Sequence, residues 1–135
     1  MEAVNRLAVY GTLRLGQPNW RRLLWAARHL GTHRLDGFRL YDGGAFPYAV
    51  PSEKSGIVVD LFAVDAQTLA ACDGLEGHPD HYRRRPVVVA GQSAWLYGVD
   101  EAPGLPSIAH GDWLRHNEDR SAGRTPGLPI VEVAS

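Results

Sequence analysis

The stretch AVYGTLRLGQPN, Ala8 to Asn19, constrains this chain most: an apolar, β-branched run stops at Gly11 and gives way to a glycine-punctuated loop and then a helix-like pattern. Leu7 to Tyr10 reads as a buried central strand. Asn19 is a suitable N-cap, and Trp20, Leu23, Leu24, Ala27 and Leu30 recur at helical spacing before Gly31, which predicts a helix over Trp20 to Leu30. A loop leaving a strand toward a helix can turn successive backbone N–H groups into a concavity for a carboxylate or phosphate. The plainer alternative is that Gly11 ends the strand and Asn19 caps the helix. A nucleotide-binding P-loop is excluded, because the chain has no G-x-x-x-x-G-K-[ST] motif here.

The rest of the chain alternates strand and turn signals. Arg34 to Tyr41 and Gly56 to Val64 read as strands, with Gly43-Gly44 and Phe46-Pro47 in the break between them. Asp65 caps a predicted helix with Leu69, Cys72 and Leu75 on one inward face and Gly77 and Pro79 closing it. Tyr82 to Ala90 and Ser93 to Val99 are expected to form an antiparallel hairpin around Gly91-Gln92, followed by a Pro-Gly loop and a short helix at Asp112 to Asn117. The fold expected is α+β, a small mixed β-barrel with peripheral helices. Residues 1–117 form the domain, and 118–135 form a tail ending in the apolar strip Ile130 to Val133.

Composition narrows the partners. The 135 residues are 44% hydrophobic, enough for one core, and the net charge of −1 gives no broad basic field for nucleic acid or acidic membranes. A small molecule is the expected ligand of a monomer or small homo-oligomer. Cys72 is the single cysteine, which removes a disulfide framework and favours a reducing, cytoplasmic setting, and no apolar run is long enough to span a membrane. Thirteen Arg against the lone Lys54, with abundant Ala, Gly and Pro, hints at GC-rich bacterial coding.

A second chemical candidate is Asp73-Gly74-Leu75-Glu76-Gly77-His78-Pro79-Asp80-His81-Tyr82. A carboxylate at a helix C-terminus meets the negative end of the helix dipole, and apolar neighbours raise its pKa further, which suits Glu76 to acid-base work. A solvated helix end is the bland alternative. His78, Asp80 and His81 lack an evident further strong ligand, so no metal is expected. Cys72 falls at an inward helical position and reads as a small buried hydrophobe, no G-x-S-x-G elbow surrounds any serine, and Arg83 to Arg85 alternate across a strand rather than forming a basic patch. Trp95 and Tyr97 share one strand face, as core residues do.

Taken in order, VYGTLRLGQPN, the G-x-F-P of Gly44 to Pro47, the D-x-L-E-G-x-P of Asp73 to Pro79 followed by Tyr82 and Arg84, and the W-x-Y of Trp95 to Tyr97 resemble the γ-glutamylcyclotransferase-like family over about Leu7 to Trp113. The GQPN extension is most similar to the γ-glutamylamine cyclotransferase branch. The resemblance implies a cofactor-independent enzyme that cleaves a γ-glutamyl amide by attack of the substrate's own α-amine, releasing 5-oxoproline and a free amine. It implies Glu76 as the catalytic carboxylate and Tyr10, Gly11, Thr12 and Leu13 as the loop holding the glutamyl α-carboxylate, with Phe46, Pro47, Tyr82 and Tyr97 as further substrate-binding positions. The leaving amine stays open and includes a biosynthetic intermediate. Hydrolysis to glutamate and a non-catalytic γ-glutamyl or carboxylate-binding module are the alternatives.

Overall fold

The computed structural model describes residues 5–121. The element order is β1 (Asn5–Val9), α1 (Pro18–Leu23), β2 (Arg28–Asp42), β3 (Pro47–Val64), α2 (Ala66–Glu76), β4 (Arg83–Val89), β5 (Gln92–Gly98), β6 (Ser107–Ile108) and α3 (Trp113–Ser121). The strands form one six-stranded sheet in the order β4-β5-β1-β3-β2-β6. Among the described strands only the β1 and β5 pair is parallel, with Leu7 opposite Trp95 and Ala8 opposite Leu96. The sheet curls into a half-barrel carrying a few helices, the α+β architecture expected.

β1 is buried on both faces, which explains its unbroken apolar run. Ala8 and Tyr10 enter an inner cluster with Leu40, Ile57, Leu61, Leu96 and Trp113, while Leu7 and Val9 face an outer cluster with Leu24, Phe62, Leu69 and Cys72. Burying these side chains is the main drive toward this sheet.

The helix expected over Trp20 to Leu30 is only Pro18–Leu23, and its N-cap is Gln17, with Pro18 as its first residue. Arg28 and His29 instead pair with Ala63 and Phe62 across the sheet, so strand pairing overrides the helical periodicity after Leu24. Gly31 is not a helix stop. It sits at φ 105° where the β2–β3 register shifts between His29 and Thr32, a bulge that a residue with a Cβ would strain. The two strands expected at Arg34 to Tyr41 and Gly56 to Val64 are the middle of β2 and the end of β3, both of them longer than the local patterns indicate.

α2 follows the sequence closely. The Asp65 carboxylate accepts the Thr68 N–H at 2.6 Å, Leu69 and Cys72 are buried, and Gly77 closes the helix at φ 67°. Leu75 departs from the expected inward face and is 40% exposed. The hairpin turn lies one residue earlier than expected, at Ala90-Gly91, both with positive φ. The Asp112 carboxylate accepts the N–H groups of Leu114 and Arg115 and so starts α3, which runs on past Asn117 to Ser121. His116 and Arg120 of α3 bind the Asp42 carboxylate at 2.8 and 3.0 Å and tie the helix to the end of β2. The Ile130 to Val133 strip lies outside the described residues. No helix among the described residues is long and apolar enough to cross a membrane.

Candidate active site

The C-terminal end of β1, the C-terminus of α2 and the start of β3 converge on a cavity of about 310 Å³. Tyr10 follows the last residue of β1, and the loop it opens delivers Gly11, Thr12 and Leu13. Phe46 comes from the β2–β3 turn, Pro47 is the first residue of β3, Glu76 is the last residue of α2, Tyr82 lies on the approach to β4 and Tyr97 in β5. All nine residues singled out in the sequence line this one cavity.

The loop is built so that its carbonyls are used and its amides are not. Gly11 O accepts the Arg14 N–H at 3.0 Å, and Thr12 O accepts the N–H groups of Asn19 and Trp20 at 3.1 and 3.2 Å. Because each peptide is planar and trans, the Thr12 and Leu13 N–H groups point away from those engaged carbonyls. Neither they nor the Gly11 N–H find an acceptor among the described residues. Asn19, expected as a cap, instead donates its side-chain N–H to Thr12 Oγ1 at 2.7 Å and steadies the loop. A Cβ at Gly11 would stand 2.9 Å from Pro47 Cγ, so close approach to the opposite wall requires glycine there.

The three tyrosines hold the walls together. Tyr10 OH donates to the Tyr97 carbonyl at 2.6 Å and accepts the Ala49 N–H at 3.2 Å, and Tyr82 OH donates to the Pro47 carbonyl at 2.8 Å. Tyr97 OH donates to Asp73 Oδ1 at 2.7 Å. Asp73 also pairs with Arg84, whose guanidinium lies over the Trp95 ring. Burial pushes all three hydroxyls up from their ordinary value, so they remain protonated donors at neutral pH.

Glu76 stands apart from this bonded scaffold. It is half-buried, and its carboxyl makes no hydrogen bond or ion pair among the described residues. Loss of solvent pushes it up to about 7, the range in which a carboxyl can both take and return a proton at neutral pH. Cys72, one turn earlier in α2, is fully buried and pushed up to about 12 by burial first and then by Glu76 and Asp73, which leaves it no thiolate character. His78 Nδ1 accepts the Arg84 N–H at 3.1 Å and is occupied within the scaffold.

Sequence reasoning missed two features. Asn19 and Arg22 line the cavity three residues apart on α1, and His81 lines it beside Tyr82; the helical spacing of Asn19 and Arg22 was the available signal. The other is a buried polar network on the far side of the loop. Arg14, 6% exposed, pairs with Asp60 at 3.1 Å and with Asp112 at 2.9 Å, and Asp60 also accepts from Leu15 N–H, Thr32 and His29. Its signal was a charged residue inside each of two apolar runs, Leu13-Arg14-Leu15 and Val59-Asp60-Leu61.

A half-barrel of this topology with a carboxyl and a glycine-led backbone loop lining one cavity defines a class of protein, and comparison with known proteins identifies it. The model of the family described as "Gamma-glutamyl cyclotransferase, AIG2-like" matches residues 7–115, and the chain belongs to this family. The gamma-glutamylcyclotransferase family protein YtfP of Escherichia coli K12 is 36% identical over 111 residues, which cover 81% of this chain and 96% of that protein. The crystal structure of protein PH0828 from Pyrococcus horikoshii superposes with a TM-score of 0.76 at 29% identity, covering 90% of this chain and 99% of that one. That of a mouse AIG2-like protein gives 0.69 at 26% identity, covering 80% and 88%.

Proposed function

We propose that the chain is a γ-glutamylamine cyclotransferase acting in the cytoplasm on a small γ-glutamyl amide. The observation that carries the reading is the presence around one cavity of Glu76, raised to about 7, and the Gly11, Thr12 and Leu13 amides, none of them bonded among the described residues.

The amides hold the α-carboxylate of the glutamyl unit. Glu76 takes a proton from the adjacent α-ammonium, and the freed nitrogen attacks the γ-carbonyl carbon of the same unit. The new C–N bond closes a five-membered ring, the carbonyl becomes an oxyanion, and its collapse breaks the original amide bond. Glu76 passes that proton to the departing nitrogen and then relays the second proton of the ring nitrogen to it, so 5-oxoproline and the amine, as its ammonium, leave and the carboxylate is restored. Nucleophile and electrophile belong to one molecule, so positioning replaces a covalent enzyme intermediate, and the chemistry as written needs no cofactor. The tyrosine hydroxyls, committed to Tyr97 O, Pro47 O and Asp73, act by fixing the walls. The γ-glutamylamine assignment rests on the GQPN stretch, of which Asn19 steadies the amide loop.

The test is incubation of the purified protein with a panel of γ-glutamyl amides, followed by mass detection of 5-oxoproline. Release of 5-oxoproline with an equal amount of amine supports cyclotransfer. Glutamate in its place means hydrolysis, and no product from any amide sinks the enzymatic reading.

A further inference from the structure

The charge inventory of the cavity says more about the leaving amine than the glutamyl unit requires. A bound γ-glutamyl group brings one carboxylate and one ammonium, which the loop amides and Glu76 account for. That leaves Arg22 over. It sits in the last turn of α1, exposed, lines the cavity, and makes no hydrogen bond or ion pair among the described residues. His81, a second group able to carry positive charge, lines the same cavity. Among the described lining residues Glu76 is the only carboxylate, and the exposed lining apart from Arg22 and His81 is apolar, with Phe46 51% and Leu75 40% exposed.

An amine with a further ammonium, such as a diamine, would enter this site with no counter-charge and with Arg22 repelling it. An amine that carries a carboxylate would meet a free guanidinium whose paired N–H groups match a carboxylate's two oxygens. Resting on the cyclotransferase reading above and narrowing the leaving amine that it leaves open, we propose that Arg22 is a specificity-determining residue that selects γ-glutamyl amides whose leaving amine bears a carboxylate and disfavours those whose leaving amine bears a cation. Because Arg22 is exposed and screened by solvent, the selection is about tenfold rather than thousandfold.

The experiment uses γ-glutamyl-alanine, γ-glutamyl-ethylamine and γ-glutamyl-1,4-diaminobutane. The first two differ only by a carboxylate, and the third ends in an ammonium. The wild-type protein is expected to rank them in that order by kcat/KM. Arg22→Ala is expected to lower kcat/KM for the alanine amide about tenfold more than for the ethylamide, through KM, and Arg22→Glu to raise the diaminobutane amide above the alanine amide. Arg22→Lys keeps part of the preference, and added salt compresses it.

Equal losses on the alanine and ethyl amides would mean that Arg22 grips the glutamyl unit itself, and no change on any amide would mean that it does not reach the substrate; either overturns the inference. If wild-type protein releases 5-oxoproline from none of the three, titration calorimetry with the same compounds answers separately. Tighter binding of the alanine amide that Arg22→Ala abolishes would keep the inference while the catalytic reading falls, and equal binding of all three would overturn the inference.

Discussion

The loop after β1 faces two ways, and its two sides obey opposite rules. Toward the cavity, Gly11, Thr12 and Leu13 keep N–H groups without acceptors among the described residues, and Glu76 keeps a carboxyl without a partner among them. Two residues further on, Arg14 and the Leu15 N–H meet Asp60, whose two oxygens accept from Arg14, Leu15, Thr32 and His29. The saturated side anchors the unsaturated one: fixing Arg14 and Leu15 fixes the backbone whose preceding amides stay open. Buried polar groups without partners are costly, and here that cost falls where a ligand would relieve it.

The two sides part most sharply when each loses its carboxylate. Glu76→Gln is expected to cut turnover at least a thousandfold, about 4 kcal/mol in barrier, while leaving the fold intact, because it removes the proton carrier and little volume. Retained turnover within tenfold of wild type would end the acid-base role. Asp60→Ala is expected to act on stability instead, at about 3–5 kcal/mol in denaturant unfolding, because it leaves the buried Arg14 with Asp112 alone and the Leu15 N–H, Thr32 and His29 without their acceptor. A loss under 1 kcal/mol would mean that Arg14 and its neighbours do not depend on Asp60.

How much of this was legible follows from range. The amide loop, the Asp65 cap, Gly77 and Glu76 were readable because each is set by residues within one turn of itself, and the nine cavity residues came from four short motifs taken in order. The truncated α1 was not readable: its Trp20, Leu23, Leu24, Ala27 and Leu30 pattern is sound, and only the pairing of His29 with Phe62, thirty-three positions away, cancels it. Asp60 is similar. Its partners Arg14 and Thr32, and Asp112 as the second partner of Arg14, lie in separate parts of the chain, so one sequence shows the buried charges but not who pairs with whom.

The comparison extends to pH with opposite signs. Glu76 is raised from an ordinary 4.5 to about 7, so the folded state holds its proton more tightly, and its contribution to stability is full below 4.5 and lost as pH rises through 7. Asp60 is opposed by burial, but hydrogen bonds from Thr32 and Leu15 and the Arg14 charge outweigh it and hold the carboxyl below its ordinary 3.8. Its contribution is present above 3.8 and lost as pH falls through its folded value. Glu76→Gln should therefore be more stable than wild type at pH 8, by about 2 kcal/mol after allowance for solvent, and the advantage should vanish by pH 4. In the wild type, kcat/KM should climb as pH passes through about 7 and the base form appears. A flat profile between pH 6 and 8, together with no stability crossover, would place Glu76 in solvent.

The mildest change separates the sides at the hinge between them. Gly11→Ala adds a Cβ that would stand 2.9 Å from Pro47 Cγ, and the Pro47 carbonyl holds Tyr82 OH, so the strain enters the cavity wall rather than the Arg14–Asp60 network. Overpacking of this kind costs about 1 kcal/mol or slightly more. Since the displaced amide belongs to the proposed carboxylate cradle, the change should appear in KM several times more than in kcat, and Tm should fall by a few degrees. A variant that loses kcat with KM untouched would show that the Gly11 amide serves the reacting carbonyl and not the α-carboxylate, which would exchange the roles assigned to the two ends of the glutamyl unit.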